Sequence, residues 1–157
     1  MDVTIRKIQK QEYPLLDNFL YEAIFVPEGI EPPPKTIITS SELQVYVEHF
    51  GKSKDDCGLV AEVDGKIVGA VWVRIMNDYG HIDDETPSLA ISLYKEYRGF
   101  GIGTAMMKEI LTLLKSHGYS RVSLSVQKAN YAAKIYLKIG FEIVRENEEE
   151  YIMVCYL

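Results

Sequence analysis

The chain has 157 residues, of which 47% are hydrophobic and 25% charged, and its formal net charge at pH 7 is -6. This length and composition are typical of one globular domain, so we expect a single domain over residues 1–157. The negative net charge argues against non-specific binding to nucleic acid, which requires clustered positive charge.

The cysteines and the N-terminal segment bear on the compartment in which the protein works. Cys57 and Cys155 lie far apart, without a CxxC motif or a nearby histidine cluster, so we expect neither a metal site nor a disulfide framework. The segment 1–7 is polar and charged, unlike a secretory signal, and no apolar run is long enough to span a membrane. These features predict a cytoplasmic protein without a membrane partner.

The first half of the chain contains signals for three strands and two helices. Asp64-Gly65 between two apolar runs is typical of a two-residue turn in a β-hairpin, and Pro32-Pro33-Pro34 indicates a loop with some polyproline character. The predicted elements are a strand over 3–8, a helix over 12–24, a loop over 26–40, a short helix from residue 40 or 41 to about 49, and strands over 58–63 and 66–73.

The second half of the chain alternates strands and helices. Its predicted elements are a charged loop over 77–87, a strand over 89–94, a long helix that starts at 102 and ends before Gly118, a strand over 121–126, a helix over 130–139, and strands over 141–145 and 151–156. This order predicts an α/β domain with a mixed central sheet of about six to seven strands flanked by helices, antiparallel at first and partly parallel later.

The most informative segment is a glycine-rich turn between a strand and a helix. Gly99, Gly101 and Gly103 remove side chains where the helix begins, which exposes backbone N–H groups at the positive end of the helix dipole. Arg98 adds a positive charge, so the turn predicts a site for a diphosphate. Glycine also forms tight turns that bind no ligand. Thr104 stands where a Walker loop needs lysine, and the G-x-G-x-G spacing differs from the dinucleotide G-x-G-x-x-G.

Two blocks of sequence carry a resemblance to a known family. The pattern Arg98-x-x-Gly101-x-Gly103 resembles the acetyl-CoA diphosphate loop of the GNAT acetyltransferase superfamily. Further on, the segment from Asn130 to Phe141 looks like the second signature of that family, an asparagine followed by a helix with alanine and tyrosine that closes on Gly-Phe. The order and the separation of the two blocks also fit the family.

The resemblance implies a single-domain GNAT-like fold and acetyl-CoA as the cofactor, with CoA as the product. It implies an N-acetyltransferase that moves the acetyl group to a primary amine by direct attack, and neither cysteine lies in a recognised nucleophile setting. A non-catalytic CoA-binding regulatory or interaction module is the alternative. The sequence leaves open whether the acceptor is a small molecule, a peptide N-terminus or a lysine, and a homodimer rests on family analogy alone.

The resemblance assigns cofactor binding to three segments. Ile91 and Leu93 correspond to a strand whose backbone pairs with the pantetheine arm, and Asn130 to an asparagine that meets this arm or the reaction centre. Asn130 is also well suited to cap a helix. The family often has proline before the arginine, where this chain has Lys95-Glu96. The expected cofactor-binding residues are Ile91, Leu93, Arg98, Gly99, Phe100, Gly101, Ile102, Gly103, Thr104 and Asn130.

The resemblance also suggests catalytic residues. Tyr136 corresponds to a tyrosine that gives a proton to the departing thiolate, although a tyrosine in an amphipathic helix can equally be a packing residue. His81 and Glu85 are candidates for the base that deprotonates the amine, and the alternative is a solvated acidic loop. Glu62 is a further option for the base. The acidic run 146–150 is expected to be an exposed hairpin end that could attract a cationic substrate.

Overall fold

The computed structural model describes residues 1–157, which form one seven-stranded sheet with helices packed against it. The strands are β1 (Val3–Lys7), β2 (Cys57–Val63), β3 (Lys66–Arg74), β4 (Ser88–Leu93), β5 (Arg121–Gln127), β6 (Glu142–Glu146) and β7 (Glu150–Tyr156). The α-helices are α1 (Leu16–Glu22), α2 (Ser41–Gln44), α3 (Ile102–Ser116) and α4 (Ala132–Ile139), and short 3-10 helices lie at Lys10–Leu15, Lys35–Thr39 and Lys95–Tyr97. None of these helices is both long and apolar enough to cross a bilayer.

The order of the strands is β1-β2-β3-β4-β5-β7-β6, and the predicted α/β fold with a mixed sheet is confirmed. All neighbouring strands are antiparallel except β4 and β5, which run parallel and pair only at Ser88 and Ser123. Beyond this pair, residues 89–93 of β4 keep β3 as a partner but have no strand on their other side. The sheet therefore splits between β4 and β5.

Strand β3 shows how the sheet separates two apolar clusters. Val71 and Val73 are fully buried in a cluster with α3, while Ala70 and Trp72 are fully buried in a second cluster with α1. Successive side chains of a strand point to opposite faces, so a strand covered on both sides is apolar throughout. The helices α3 and α1 thus cover opposite faces of the sheet.

Two predicted helices are shorter than expected. The predicted helix over 12–24 is a 3-10 helix up to Leu15 followed by α1, because Pro14 has no N–H and crowds the preceding turn. Helix α2 ends at Gln44 rather than near residue 49. In the segment that follows it, backbone carbonyl groups accept hydrogen bonds from Trp72 and Arg74 in β3 instead of continuing the helix.

Candidate active site

Two cavities lie in the region where β4 and β5 separate. The larger has a volume of about 970 Å³ and is lined by the glycine-rich turn, and the smaller has a volume of about 270 Å³ and is lined by residues of both strands. The cavities are neighbours because they share part of their lining. The shared residues are Ala23, Ile24, Phe25, Ile91, Asn130 and Tyr136.

The glycine-rich turn presents unpaired backbone donors to the larger cavity. None of the backbone N–H groups from Gly99 to Thr104 has an acceptor in the protein, and the first helical bond of α3 runs from the N–H of Ala105 to the oxygen of Gly101, at 3.1 Å. Gly101 has a φ of +81°, and a side chain added there would meet no atom within 4 Å. An open row of N–H groups at a helix N-terminus fits a diphosphate.

Arg98 connects the turn to β4 and α1. Its Nε donates to the oxygen of Leu93 at 3.0 Å, and its Nη2 donates to the oxygen of Glu22 at 3.2 Å. The same Nη2 lies 3.6 Å from Oε1 of Glu22. Arg98 remains exposed and lines the larger cavity, so its charge is available to a ligand there.

The opposite wall of the larger cavity is the loop between α1 and the proline triplet. This loop contributes apolar residues such as Phe25 and Ile30. The hydroxyl of Tyr21 donates to the oxygen of Pro33 at 2.6 Å, which ties the two ends of the loop together. The cavity is therefore bounded by the glycine-rich turn, this loop and α4.

Tyr136 borders both cavities. Burial raises the pKa of its phenol to about 12, so the hydroxyl stays protonated at neutral pH. The ring packs at 6.0 Å from the ring of Phe141, while no protein group hydrogen-bonds to the hydroxyl. The ring of Tyr136 is thus held by its neighbours, while its hydroxyl remains free to donate a hydrogen bond.

The chain matches the family described as "Acetyltransferase (GNAT) family" over residues 20–141, which is most of its length. The chain belongs to the GNAT acetyltransferase family. The predictions of this family, of its fold, and of acetyl-CoA-dependent N-acetyltransfer as the family activity are confirmed at the level of the family.

Relatives of this GNAT chain include an N-alpha-acetyltransferase of Sulfurisphaera tokodaii, 30% identical over 126 residues that cover 70% of the chain and 74% of the relative. The probable N-acetyltransferase camello of Xenopus tropicalis is 33% identical over 91 residues, and the match covers 57% of the chain but only 40% of camello. The PaiA N-acetyltransferase of Thermoplasma acidophilum, solved with coenzyme A, superposes over 100% of both chains with a TM-score of 0.73 and 22% identity, which shows a shared fold.

Most cofactor-binding residues predicted for this GNAT chain line the larger cavity. The lining includes Ile91, Leu93, Arg98, Gly99, Gly101, Gly103, Thr104 and Asn130. Phe100 and Ile102 are absent from the lining: the Phe100 side chain is 62% exposed and that of Ile102 is 3% exposed within the core. The buried side chain of Ile102 is closed to a ligand, so this residue can contribute only its backbone N–H group. Asn130 also supports α4, because its Oδ1 accepts the N–H of Ala132 at 3.0 Å.

The structure places the two candidate bases, His81 and Glu85, outside both cavities, and their role as bases stays a prediction. His81 lies with its Nδ1 at 2.8 Å from the oxygen of Met76, and Glu85 has an exposed side chain. Neither residue lines either cavity, and their loop is tied to the start of β5 by an ion pair between Asp83 and Arg121. Glu62 is likewise engaged in an ion pair with Arg6 rather than in the site.

The smaller cavity also contains polar residues. Tyr46 lies there beside Ser125 and Asp78, and burial, followed by the charge of Asp78, raises the pKa of its phenol. Burial also raises the pKa of Asp78, whose Oδ1 accepts a hydrogen bond from the hydroxyl of Ser88 at 2.8 Å. Tyr46 falls in a segment that the sequence predicts to be part of a short helix, whereas α2 ends at Gln44.

Glu150 is a further polar residue of the smaller cavity. It is the first residue of β7, its side chain is half-buried, and it lines the smaller cavity without an ion-pair partner. Burial, followed by the charge of Glu149, raises the pKa of its carboxyl. The acidic run in which it lies was visible in the sequence, but the single member that turns into the cavity was not.

Proposed function

We propose that residues 1–157 form a single N-acetyltransferase domain that transfers the acetyl group of acetyl-CoA to a primary amine by direct attack. The observation that carries this proposal is the meeting of two cavities at Tyr136, one lined by the glycine-rich turn and the other by a carboxyl group. The family membership and the names of the relatives, among them an N-alpha-acetyltransferase and N-acetylaspartate synthetases, support the same activity.

We assign the larger cavity to the cofactor. The N–H groups from Gly99 to Thr104 would hold the diphosphate, and the charge of Arg98 would add to their attraction. The free edge of β4 around Ile91 and Leu93 offers backbone groups that can pair with the amides of the pantetheine arm, as an added strand pairs with a sheet edge. Asn130 would lie beside the same arm. Acetyl-CoA supplies the activated thioester.

Tyr136 is our candidate for the general acid. The departing thiolate of CoA has a thiol pKa of about 8.5, so its release is easier when a proton donor is near. A phenol with a pKa of about 12 is fully protonated at neutral pH and can donate in this step. Its position at the border of both cavities supports this role, since the thioester and the amine must meet there.

A thermal-shift titration of the protein with acetyl-CoA, CoA, ATP and NAD tests the proposal. We expect acetyl-CoA and CoA to raise the melting temperature, since a ligand that binds only the folded state stabilises it, and ATP and NAD to have no comparable effect. Thiol release from acetyl-CoA in the presence of a panel of amines then tests transfer. No shift with acetyl-CoA would refute the cofactor assignment, and binding without thiol release would indicate the non-catalytic CoA-binding module.

Location and assembly are also part of the proposal. We propose a cytoplasmic location because the two cysteines of the chain, Cys57 and Cys155, are both free thiols. A homodimer is supported by analogy with the family alone. Size-exclusion chromatography with light scattering measures the oligomeric state directly, and a monomer at all concentrations would exclude the dimer.

A further inference from the structure

The smaller cavity is a chamber that is lined mostly by hydrophobic and aromatic residues and by one charged side chain. Of the 17 residues that line it, 13 are hydrophobic, and the others are Ser125, Gln127, Asn130 and Glu150. No lysine, arginine or histidine contributes to the lining. A positively charged group that enters this chamber finds a carboxylate, whereas a negatively charged group finds no cation.

The backbone holds Glu150 in a fixed position at the chamber. The residue pairs with Gln127 across β5 and β7, and its N–H donates to Oδ1 of Asn147 at 2.8 Å. Its acidic neighbours are placed differently: Glu146 forms an ion pair with Lys128 at 3.0 Å, and Glu148 is exposed. Glu150 is therefore the member of the acidic run that faces the chamber and has no cation of its own.

A second carboxyl group lies at the rim of the chamber. The hydroxyl of Tyr79, which lines the chamber, donates to Oε2 of Glu42 at 2.6 Å. This hydrogen bond, with lesser effects from burial and from the charges of Glu42 and Glu150, raises the pKa of the Tyr79 phenol to about 12. Two carboxylates thus act on the same phenol, and the field at this side of the chamber is negative.

We propose that the smaller cavity takes a small amine with an apolar body, that Glu150 receives its ammonium group, and that amines with an adjacent carboxylate are rejected. The volume of about 270 Å³ suits a small molecule, and the hydrophobic and aromatic side chains of the lining can contact an aliphatic or aromatic body. A free amino acid would have to bury its carboxylate without a partner and close to Glu150, which is costly. This inference rests on the proposed function and narrows its acceptor to one chemical class.

Matched acceptors test directly whether a carboxylate next to the amine prevents binding. Isopentylamine, leucine amide and leucine have the same apolar body and differ in the group beside the amine. In isothermal titration of the protein, with and without CoA, we expect isopentylamine and leucine amide to bind at least about 10-fold more tightly than leucine. Equal or tighter binding of leucine would overturn the inference. Tighter binding of a leucine-initiated tetrapeptide amide than of either small amine would overturn its restriction to small molecules.

A pair of variants tests the role of Glu150. Glu150→Gln keeps the size of the side chain and removes its charge, so we expect binding of isopentylamine to weaken by about 10-fold or more. Glu148→Gln removes a charge from the same run at an exposed position and should leave binding unchanged. Unchanged binding in Glu150→Gln would overturn the inference. Failure of acetyl-CoA to bind would refute the proposed function. The amine titrations without CoA would still show whether the smaller cavity binds amines through Glu150.

Discussion

Ser88 and Ser123 form the only pair through which β4 and β5 are joined. Their hydroxyl oxygens lie 3.5 Å apart, and both are buried. Each hydroxyl also holds the loop that precedes β4: Ser88 donates to Oδ1 of Asp78 at 2.8 Å, and Ser123 donates to the oxygen of Gly80 at 2.7 Å. This pair is thus the point from which the two strands diverge and the cavities begin.

Replacement of Ser123 by alanine should destabilise the protein. The variant leaves the carbonyl of Gly80 without its donor in a buried place, and such a loss costs about 1–3 kcal/mol. Urea denaturation monitored by circular dichroism measures the free energy of unfolding. Ser120→Ala, at an exposed position before β5, is the control and should change it little. Equal stability of the two variants would contradict the anchoring role of Ser123.

Gly101→Ala and Gly118→Ala separate ligand binding from backbone strain. Gly101 has a φ of +81° and Gly118 a φ of +88°, and a Cβ would meet no atom within 4 Å at either position. Both variants should therefore lose about 1–2 kcal/mol of stability, since alanine is strained in this conformation. Only Gly101→Ala places a methyl group in the larger cavity, so only this variant should reduce the thermal shift caused by acetyl-CoA. A similar reduction in both variants would contradict the cofactor site.

Tyr136→Phe should lower kcat by about 100-fold or more if the phenol protonates the thiolate. Binding of acetyl-CoA should stay the same, because the ring and its contact with Phe141 are retained. Tyr156→Phe is the control, since this tyrosine has an exposed side chain and lines neither cavity. Unchanged kcat in Tyr136→Phe, measured by thiol release, would remove it from the mechanism.

The buried carboxyl of Asp78 should make stability depend on pH. Burial raises its pKa above the ordinary value of 3.8, although hydrogen bonds from Ser88 and Tyr46 oppose this effect. A raised folded pKa contributes stability that is fully present below the unfolded pKa and is lost as the pH rises through the folded pKa. Asp78→Asn cannot ionise, so its stability relative to the native protein should increase as the pH rises above about 4.

Urea denaturation of both proteins across this range measures the difference in free energy of unfolding. Glu85→Gln, which changes an exposed carboxyl without an ion-pair partner in the same loop, is the control for general effects of net charge. The free energy of unfolding of Asp78→Asn minus that of the native protein should rise with pH. If this difference stays constant or falls, the environment of Asp78 does not disfavour its charge.

Features that depend on neighbouring residues could be predicted from the sequence. The turn at Asp64 and Gly65 has the positive φ values that an Asp-Gly hairpin requires, 51° and 84°. The long helix starts at Ile102 after Gly101 and ends before Gly118, as its apolar spacing and flanking glycines indicate. The two blocks around Arg98 and Asn130 indicated the family, and the match over residues 20–141 confirms it.

The contents of the smaller cavity could not be predicted in this way. Tyr46 lies there because its segment leaves the helical path where Trp72 and Arg74 capture backbone carbonyls, which is a contact between residues distant in sequence. His81 and Glu85 precede β4 closely in the sequence and lie outside the cavities. Lining of the cavities is therefore decided by the packing of segments that are distant in sequence.

The sequence alone determined the family, the α/β fold and the glycine-rich turn, because these follow from spacing, turn chemistry and helix ends within short segments. The tertiary structure alone decided which side chains meet at the site. Strands β4 and β5 are parallel, joined at Ser88 and Ser123, and separated beyond that pair. Residues of α1, α2, α4 and β7 line the space between them, so Tyr136 and Glu150 line one cavity only after the whole sheet has formed.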